Sequence, residues 1–156
     1  MFSPIQFVFI AAIVLYLLDS IWEVGSIFNP NRFSKRLADY FIIAGLSIHC
    51  AFLIIVSAQS GTLPISTLFE SSTFYLSLIV LLSVILKFLY RLQSLTPFVM
   101  PIVTGFSIAA VTLVKNDLAL TANLKTFWLF AHIIPIFLGY ASFTVSFIFS
   151  IMYLTM

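Results

Sequence analysis

The 156-residue chain is 62% hydrophobic and 17% aromatic, and only 8% of its residues are charged, whereas about a quarter are charged in an average soluble domain. Too few polar side chains remain to cover a water-exposed surface, so the composition excludes a soluble globule and indicates an integral membrane protein. The net charge of +2 comes from scattered residues, which excludes nucleic-acid binding. Cys50 is the single cysteine and excludes an internal disulfide, a C-x-x-C pair and a C-x-x-C-H haem-attachment site.

Five apolar stretches, each long enough to cross a bilayer, follow one another along the chain with short polar breaks between them. They predict an all-α polytopic transmembrane bundle that forms one domain over residues 1–156. The first stretch has no basic leader before it, so we expect it to be retained as a span. The predicted spans lie near residues 4–24, 38–58, 72–91, 97–114 and 126–154.

The breaks contain residues that form turns and helix caps. Asn29-Pro30-Asn31 is typical of a loop, as is the Gly- and Pro-containing segment 60–67. Thr67 and Glu70 have the spacing of a capping box, which predicts a helix start at this point. Thr96-Pro97 predicts the start of the fourth helix, because proline is well tolerated at the first helical position.

The distribution of basic residues predicts the orientation. Loops that carry more Lys and Arg usually lie in the cytoplasm. Five basic residues fall around the first and third breaks and two around the fourth: Arg32, Lys35, Arg36, Lys87 and Arg91 against Lys115 and Lys125. This pattern predicts that the N-terminus lies outside and the C-terminus inside.

Two acids lie one turn apart near the predicted inner end of the first span. Ionisable side chains inside a membrane are expensive and are functional candidates by default. For Asp19 and Glu23 we favour an interfacial role, in which the carboxylates reach water or pair with Arg32 or Lys35.

A histidine in the fifth span, His132, precedes Pro135 by three residues. At helical spacing it shares a face with Gly139, Ser146 and Ser150, and small residues mark the packing faces of membrane helices. We therefore expect its imidazole to point into the bundle. A ligand or proton-transfer role and a hydrogen-bonded structural role remain equally open from these residues.

His49 in the second span follows Gly45 by one turn, and the same packing argument directs it inward. A structural hydrogen bond to a Ser or Tyr is slightly favoured. At roughly 1.5 Å per residue, His49 and His132 both lie about 9–12 Å below the outer surface. A shared metal site for the two histidines is therefore an open alternative.

Three segments resemble the cytochrome c-type assembly family of the CcsA, ResC and HemX kind. Residues 64–71, PISTLFES, are similar to the family's P-x-x-x-L-[FY]-E-S stretch, and residues 98–101, FVMP, to its F-V-x-P helix start. Residues 132–143, HIIPIFLGYASF, are similar to its H-x-x-x-x-x-L-G-Y-A-x-F helix. From the first to the last of these segments, the resemblance extends over most of the chain after Gly61.

The resemblance implies that His132 is an external axial ligand of haem b. Phe127, Trp128 and Tyr140 are then the nearest aromatic side chains to line the site, and His49 is a substitute second ligand. Family members also carry a tryptophan-rich WWD loop and a second external histidine, which this chain lacks. We therefore expect a split or truncated N-terminal portion that is completed by another chain, or a divergent relative that keeps only the scaffold.

The leading hypothesis is a membrane component of cytochrome c maturation that binds or delivers haem at the outer face. Its partners would be haem, the lipid bilayer, and apocytochrome c or a second assembly subunit. It would reside in the bacterial inner membrane or an equivalent energy-transducing membrane. The alternative is a non-catalytic scaffold or regulator of haem metabolism, and a small-solute transporter ranks third. No G-x-S-x-G, H-E-x-x-H or phosphate-binding loop is present, which disfavours a hydrolase or a nucleotide-driven protein. Whether the chain is an enzyme stays open, and a haem-handling assembly factor or subunit is favoured over a complete enzyme.

Overall fold

The computed structural model describes residues 4–113 and 127–155. Over these ranges the chain forms five α-helices and no strand. All five helices are long and apolar enough to cross a membrane, so the predicted fold class is confirmed. The helices are α1 (Pro4–Phe28), α2 (Lys35–Ser60), α3 (Leu68–Leu89), α4 (Thr96–Leu113) and α5 (Phe127–Thr155).

The helix bounds differ from the predicted spans by up to four residues. α1 continues to Phe28, and α3 begins at Leu68 rather than near residue 72. The difference has a physical cause: hydropathy marks the part of a helix that lies in hydrocarbon, whereas capping groups set where the helix ends. Lys115 and Lys125 lie outside the described residues, and the orientation across the membrane stays a prediction.

The start of α3 carries the predicted capping box. The Thr67 hydroxyl accepts a hydrogen bond from the Glu70 backbone N–H at 3.1 Å, and the Glu70 carboxylate accepts one from the backbone N–H of Ser66 at 2.8 Å. The carboxylate thus reaches one residue further back than in the usual capping box. At the end of α2, Gly61 adopts a left-handed conformation with φ of 64°, and its N–H bonds the Ser57 carbonyl, which is a common helix stop.

α1 packs against α2 and α4, and α3 packs against α2, α4 and α5. α5 lies at the side of the other four helices and runs parallel to α3, since Phe137 contacts Phe74 and Ile148 lines one cavity with Ile79. Lys35 donates to the side chain of Gln93, which joins the loops 29–34 and 90–95 at one end of the bundle. We call this the basic end. The loop 61–67 and the start of α5 lie at the other end of the bundle, which we call the opposite end.

A close approach between α1 and α2 tightens the bundle. Gly45 faces the ring of Tyr16, and a Cβ added at Gly45 would lie 2.7 Å from a ring carbon. Only glycine permits this approach, since that distance is shorter than any van der Waals contact. The predicted use of Gly45 as a helix-packing residue is thus confirmed.

Candidate functional site

His49 lies near the middle of α2 and is fully buried. Its Nδ1 atom is 3.1 Å from the hydroxyl oxygen of Tyr16 on α1. The backbone of Thr73 on α3 lies close to the imidazole, and the Nε2 atom has no hydrogen bond of ordinary geometry among the described residues. The inward direction and the bond to a tyrosine agree with the sequence analysis. His49 lies eleven residues before the end of α2 at Ser60, roughly 16 Å along the helix at 1.5 Å per residue, and its depth below the membrane surface stays a prediction.

The surroundings of His49 do not fit a haem. The ring centroids of Phe9, Tyr16 and Phe52 lie 5.1, 5.9 and 6.4 Å from the centroid of the imidazole. These aromatic side chains pack around the imidazole and leave it no room for a porphyrin plane. His49 therefore serves the packing of α1 against α2 in this structure.

His132 lies five residues after the start of α5 and is exposed. The prediction that its imidazole points into the bundle is wrong, because α5 packs through Ala141, Val145 and Ile148 instead. The face with the small residues remains open, and a Cβ added at Gly139 would meet nothing within 4 Å.

The aromatic residues proposed around His132 lie on the same helix. Trp128 and Tyr140 are 78% and 60% exposed, and Phe127 is the first residue of α5, with a side chain outside the described part. Tyr140 adjoins a shallow pocket of about 380 Å³ between α3 and α5, and His132 does not line it. Trp128 and Tyr140, the two of these residues whose side chains are described, therefore form no enclosed haem pocket with His132.

The structure does not bring His49 and His132 together. The side chains that surround His49 belong to α1, α2 and α3, whereas α5 packs against α3 and α4. Among the described residues, no three His, Cys, Asp or Glu side chains converge on a metal position. A site shared by the two histidines is therefore absent from this arrangement.

A cavity of about 510 Å³ opens between α3, α4 and α5. This volume is within the range of about 300–1,000 Å³ that small-molecule sites occupy. At the edge of this cavity, the hydroxyl groups of Tyr75 and Thr144 form a hydrogen bond. No histidine is among the lining residues, so the cavity offers haem iron no imidazole. The lining residues are Ser72, Tyr75, Leu76, Ile79, Ile102, Val103, Phe106, Ala109, Ala110, Thr112, Leu113, Thr144, Phe147 and Ile148.

A buried ionic cluster lies about one turn inside the basic end. The ammonium of Lys87 on α3 lies 2.6 Å from Glu23 Oε1 on α1 and 2.6 Å from Asp39 Oδ1 on α2. The hydroxyl of Thr96, at the start of α4, donates to the same Glu23 oxygen at 2.7 Å. The cluster therefore ties together the four helices that form the core of the bundle.

The cluster corrects the expectation for Glu23. Its carboxylate is only 4% exposed and pairs with Lys87, rather than with water, Arg32 or Lys35. The sequence analysis counted Lys87 among the basic residues around the third break and did not single out Asp39. Lys87 is flanked by Leu86 and Phe88 within an apolar run, and this isolated cation is the signal that predicts an acidic partner on another helix.

Asp19 lies one turn before Glu23 on α1 and has a relative exposure of 0%. Neither of its carboxyl oxygens has a hydrogen-bond partner among the described residues. The adjacent Ser20 hydroxyl bonds the hydroxyl of Thr104 on α4 at 2.9 Å, so the neighbouring polar side chain is satisfied. The interfacial expectation for Asp19 is wrong, because the side chain is fully buried and lies nine residues before the end of α1.

No family model matches the chain, and no solved structure matches it. It is 26% identical over 155 residues to Protein HemX of Brevibacillus brevis, with 97% of this chain and 56% of that protein aligned. It is also 26% identical over 146 residues to Protein HemX of Bacillus subtilis (strain 168), with 91% of this chain and 52% of that protein aligned. The chain spans about half the length of these curated relatives. The comparisons thus support similarity to HemX proteins and do not extend it to CcsA or ResC.

Proposed function

We propose that the protein is a membrane component of haem metabolism that presents His132 as one axial ligand for haem, in a step of cytochrome c maturation. The observation that carries the proposal is the exposed imidazole on an apolar helix at the end of the bundle predicted to be outer. An imidazole in this position is open to a ligand from the bilayer or from a partner. The similarity to HemX proteins over nearly the whole chain supports the link to haem.

The residues define what this chain contributes to such a site. His132 supplies a single nitrogen ligand. Trp128 precedes it by four residues and Tyr140 follows it by eight, and these spacings place both exposed aromatic rings on the same side of α5. Haem bound there would supply a redox-active iron. The second axial ligand and the walls of the pocket would come from outside the described residues, since His49 is enclosed by aromatic rings.

The second candidate is a membrane scaffold or regulator of haem metabolism that binds no haem. The packing of His49 favours it, because the described helices use one of the two histidines for structure and leave the other without a pocket. The two candidates differ in one property, namely whether the purified chain retains iron porphyrin through His132.

The visible absorption spectrum of the detergent-purified protein, with and without added haem, tests the proposal. We expect a Soret band in the wild type that His132→Ala loses. His49→Ala is the matched control, since it also removes one imidazole, but from a packed position in the interior of the bundle. We expect this variant to keep the band and to have a lower thermal stability.

A wild-type protein that shows no Soret band after haem is added would contradict autonomous haem binding and favour the scaffold. A band that survives in His132→Ala and disappears in His49→Ala would place the ligand on α2 instead. Addition of apocytochrome c to the haem-loaded protein then tests delivery, which we expect to move the band into the cytochrome c fraction.

A further inference from the structure

Asp19 is a fully buried acid whose carboxyl group has no partner. Its relative exposure is 0%, and both oxygens lack a hydrogen bond within the part of the chain that the structure describes. An ionised carboxylate without a partner is rarely buried, since the loss of hydration is uncompensated and the group neutralises instead. Asp19 therefore requires a positively charged species that the protein side chains do not supply.

The neighbouring charges do not compensate Asp19. Three carboxyl groups, Asp19, Glu23 and Asp39, share one ammonium, Lys87. Lys87 lies 2.6 Å from both Glu23 and Asp39, and neither oxygen of Asp19 forms a hydrogen bond with it. Two anions around one cation already leave an excess of negative charge, and a third anion at Asp19 would add to it in a medium of low dielectric constant.

Among the described residues, the charged groups that act on Asp19 are Glu23, Lys87 and Asp39, and the other polar contacts beside it, on α1 and α4, involve hydroxyl groups. Tyr16 lies one turn away on α1 and bonds His49, while α4 contributes Thr96, which bonds Glu23, and Thr104, which bonds Ser20. All of these hydroxyls have partners. The species that compensates Asp19 must therefore be small enough to enter without displacing them.

A metal ion does not fit this position as well as a proton does. No three acidic, His or Cys side chains converge on a metal position in the described ranges, whereas a proton needs a single carboxyl oxygen. We propose that Asp19 is a proton-binding site inside the membrane domain, loaded from the basic end through the Glu23, Lys87 and Asp39 cluster. Asp39 has a side chain that is 31% exposed, and it gives the cluster access to water. The proposal is independent of haem binding.

Infrared spectroscopy of the purified full chain in lipid nanodiscs tests the proposal directly. We expect the carbonyl stretch of a protonated carboxylic acid near neutral pH, a shift of that band in D₂O, and its loss in Asp19→Asn. Glu70→Gln is the matched control: its carboxylate accepts a hydrogen bond from Ser66, and we expect this variant to keep the band. A wild type without an acid band that depends on Asp19 overturns the proposal.

The thermal unfolding temperature distinguishes a bound proton from a bound metal cation, and it shows whether the Asp19→Asn variant folds. Asparagine reproduces the neutral acid, so we expect Asp19→Asn to unfold within a few degrees of the wild type. An Asp19→Asn protein that does not fold, or that unfolds far below the wild type, overturns the proposal because it shows that the negative charge is needed. Stabilisation by NaCl over choline chloride that disappears in Asp19→Asn also overturns it, in favour of an alkali-ion site.

Discussion

Lys87 and Glu23 lie 64 positions apart in the chain, and their side chains meet at 2.6 Å in the interior of the bundle. Both are nearly excluded from solvent. A buried ion pair is not in itself strong evidence of stability, because the desolvation of two charges offsets much of their attraction. It does impose a strict requirement, since neither charge can remain there alone.

Removal of the ammonium is expected to be costly. Lys87→Met should lower the free energy of unfolding by about 3–5 kcal/mol, because Glu23 would be left as an uncompensated buried charge. The double variant Lys87→Met with Glu23→Gln should recover most of the loss. Unfolding in mixed micelles of dodecyl maltoside and SDS measures both values.

Arg36→Met is the control for this prediction. Arg36 is exposed in the first turn of α2, and we expect a change within about 0.5 kcal/mol. Equal destabilisation by Lys87→Met and Arg36→Met would show that the buried pair has no special role.

The sequence predicts the five helices well, because a stretch of 18 or more mostly apolar residues with few charges has few alternatives to a membrane-spanning helix. The partners of buried polar residues are harder to predict. Gly45 and His49 are directed inward as expected, since they share one close-packed face of α2. The prediction for His132 fails because small residues mark a face that permits close packing without showing which helix occupies it. The pairing of Lys87 with Glu23 depends on contacts between distant helices, which spacing within one helix does not determine.

The contact between Gly45 and Tyr16 gives a second prediction. Gly45→Ala should destabilise the protein by about 1–3 kcal/mol, because the new methyl group would overlap the tyrosine ring and push it off its position. The ring is also held by its bond to His49, so it cannot move without breaking that contact. The unfolding assay in mixed micelles applies here as well.

Gly105→Ala is the matched substitution on α4. A Cβ at Gly105 would meet nothing within 4 Å, so stability should stay level or rise by up to about 1 kcal/mol, as helix propensity predicts. If Gly45→Ala behaves like Gly105→Ala, α1 and α2 do not approach as closely as described.

A double-mutant cycle tests the bond between Tyr16 and His49. Tyr16→Phe should cost about 1–3 kcal/mol, because it leaves Nδ1 of a buried imidazole unsatisfied. His49→Phe alone should leave the tyrosine hydroxyl unsatisfied in the same way. The double variant should cost less than the sum of the two, with a coupling energy of about 0.5–3 kcal/mol. Tyr153→Phe, at a residue that is 81% exposed, serves as control, and additive effects of Tyr16→Phe and His49→Phe would contradict the bond.

The orientation can be tested with two engineered cysteines, one in the loop that precedes α2 and one in the last turn of α2. Cys50→Ala first removes the native thiol. Asn31→Cys and Gln59→Cys then place exposed thiols near the basic end and the opposite end. The basic residues predict that the opposite end lies outside, so a membrane-impermeant maleimide should label Gln59→Cys in intact cells and Asn31→Cys only after permeabilisation. The reverse pattern would place His132 on the cytoplasmic side, and haem delivery at the outer face would then no longer be tenable for this chain.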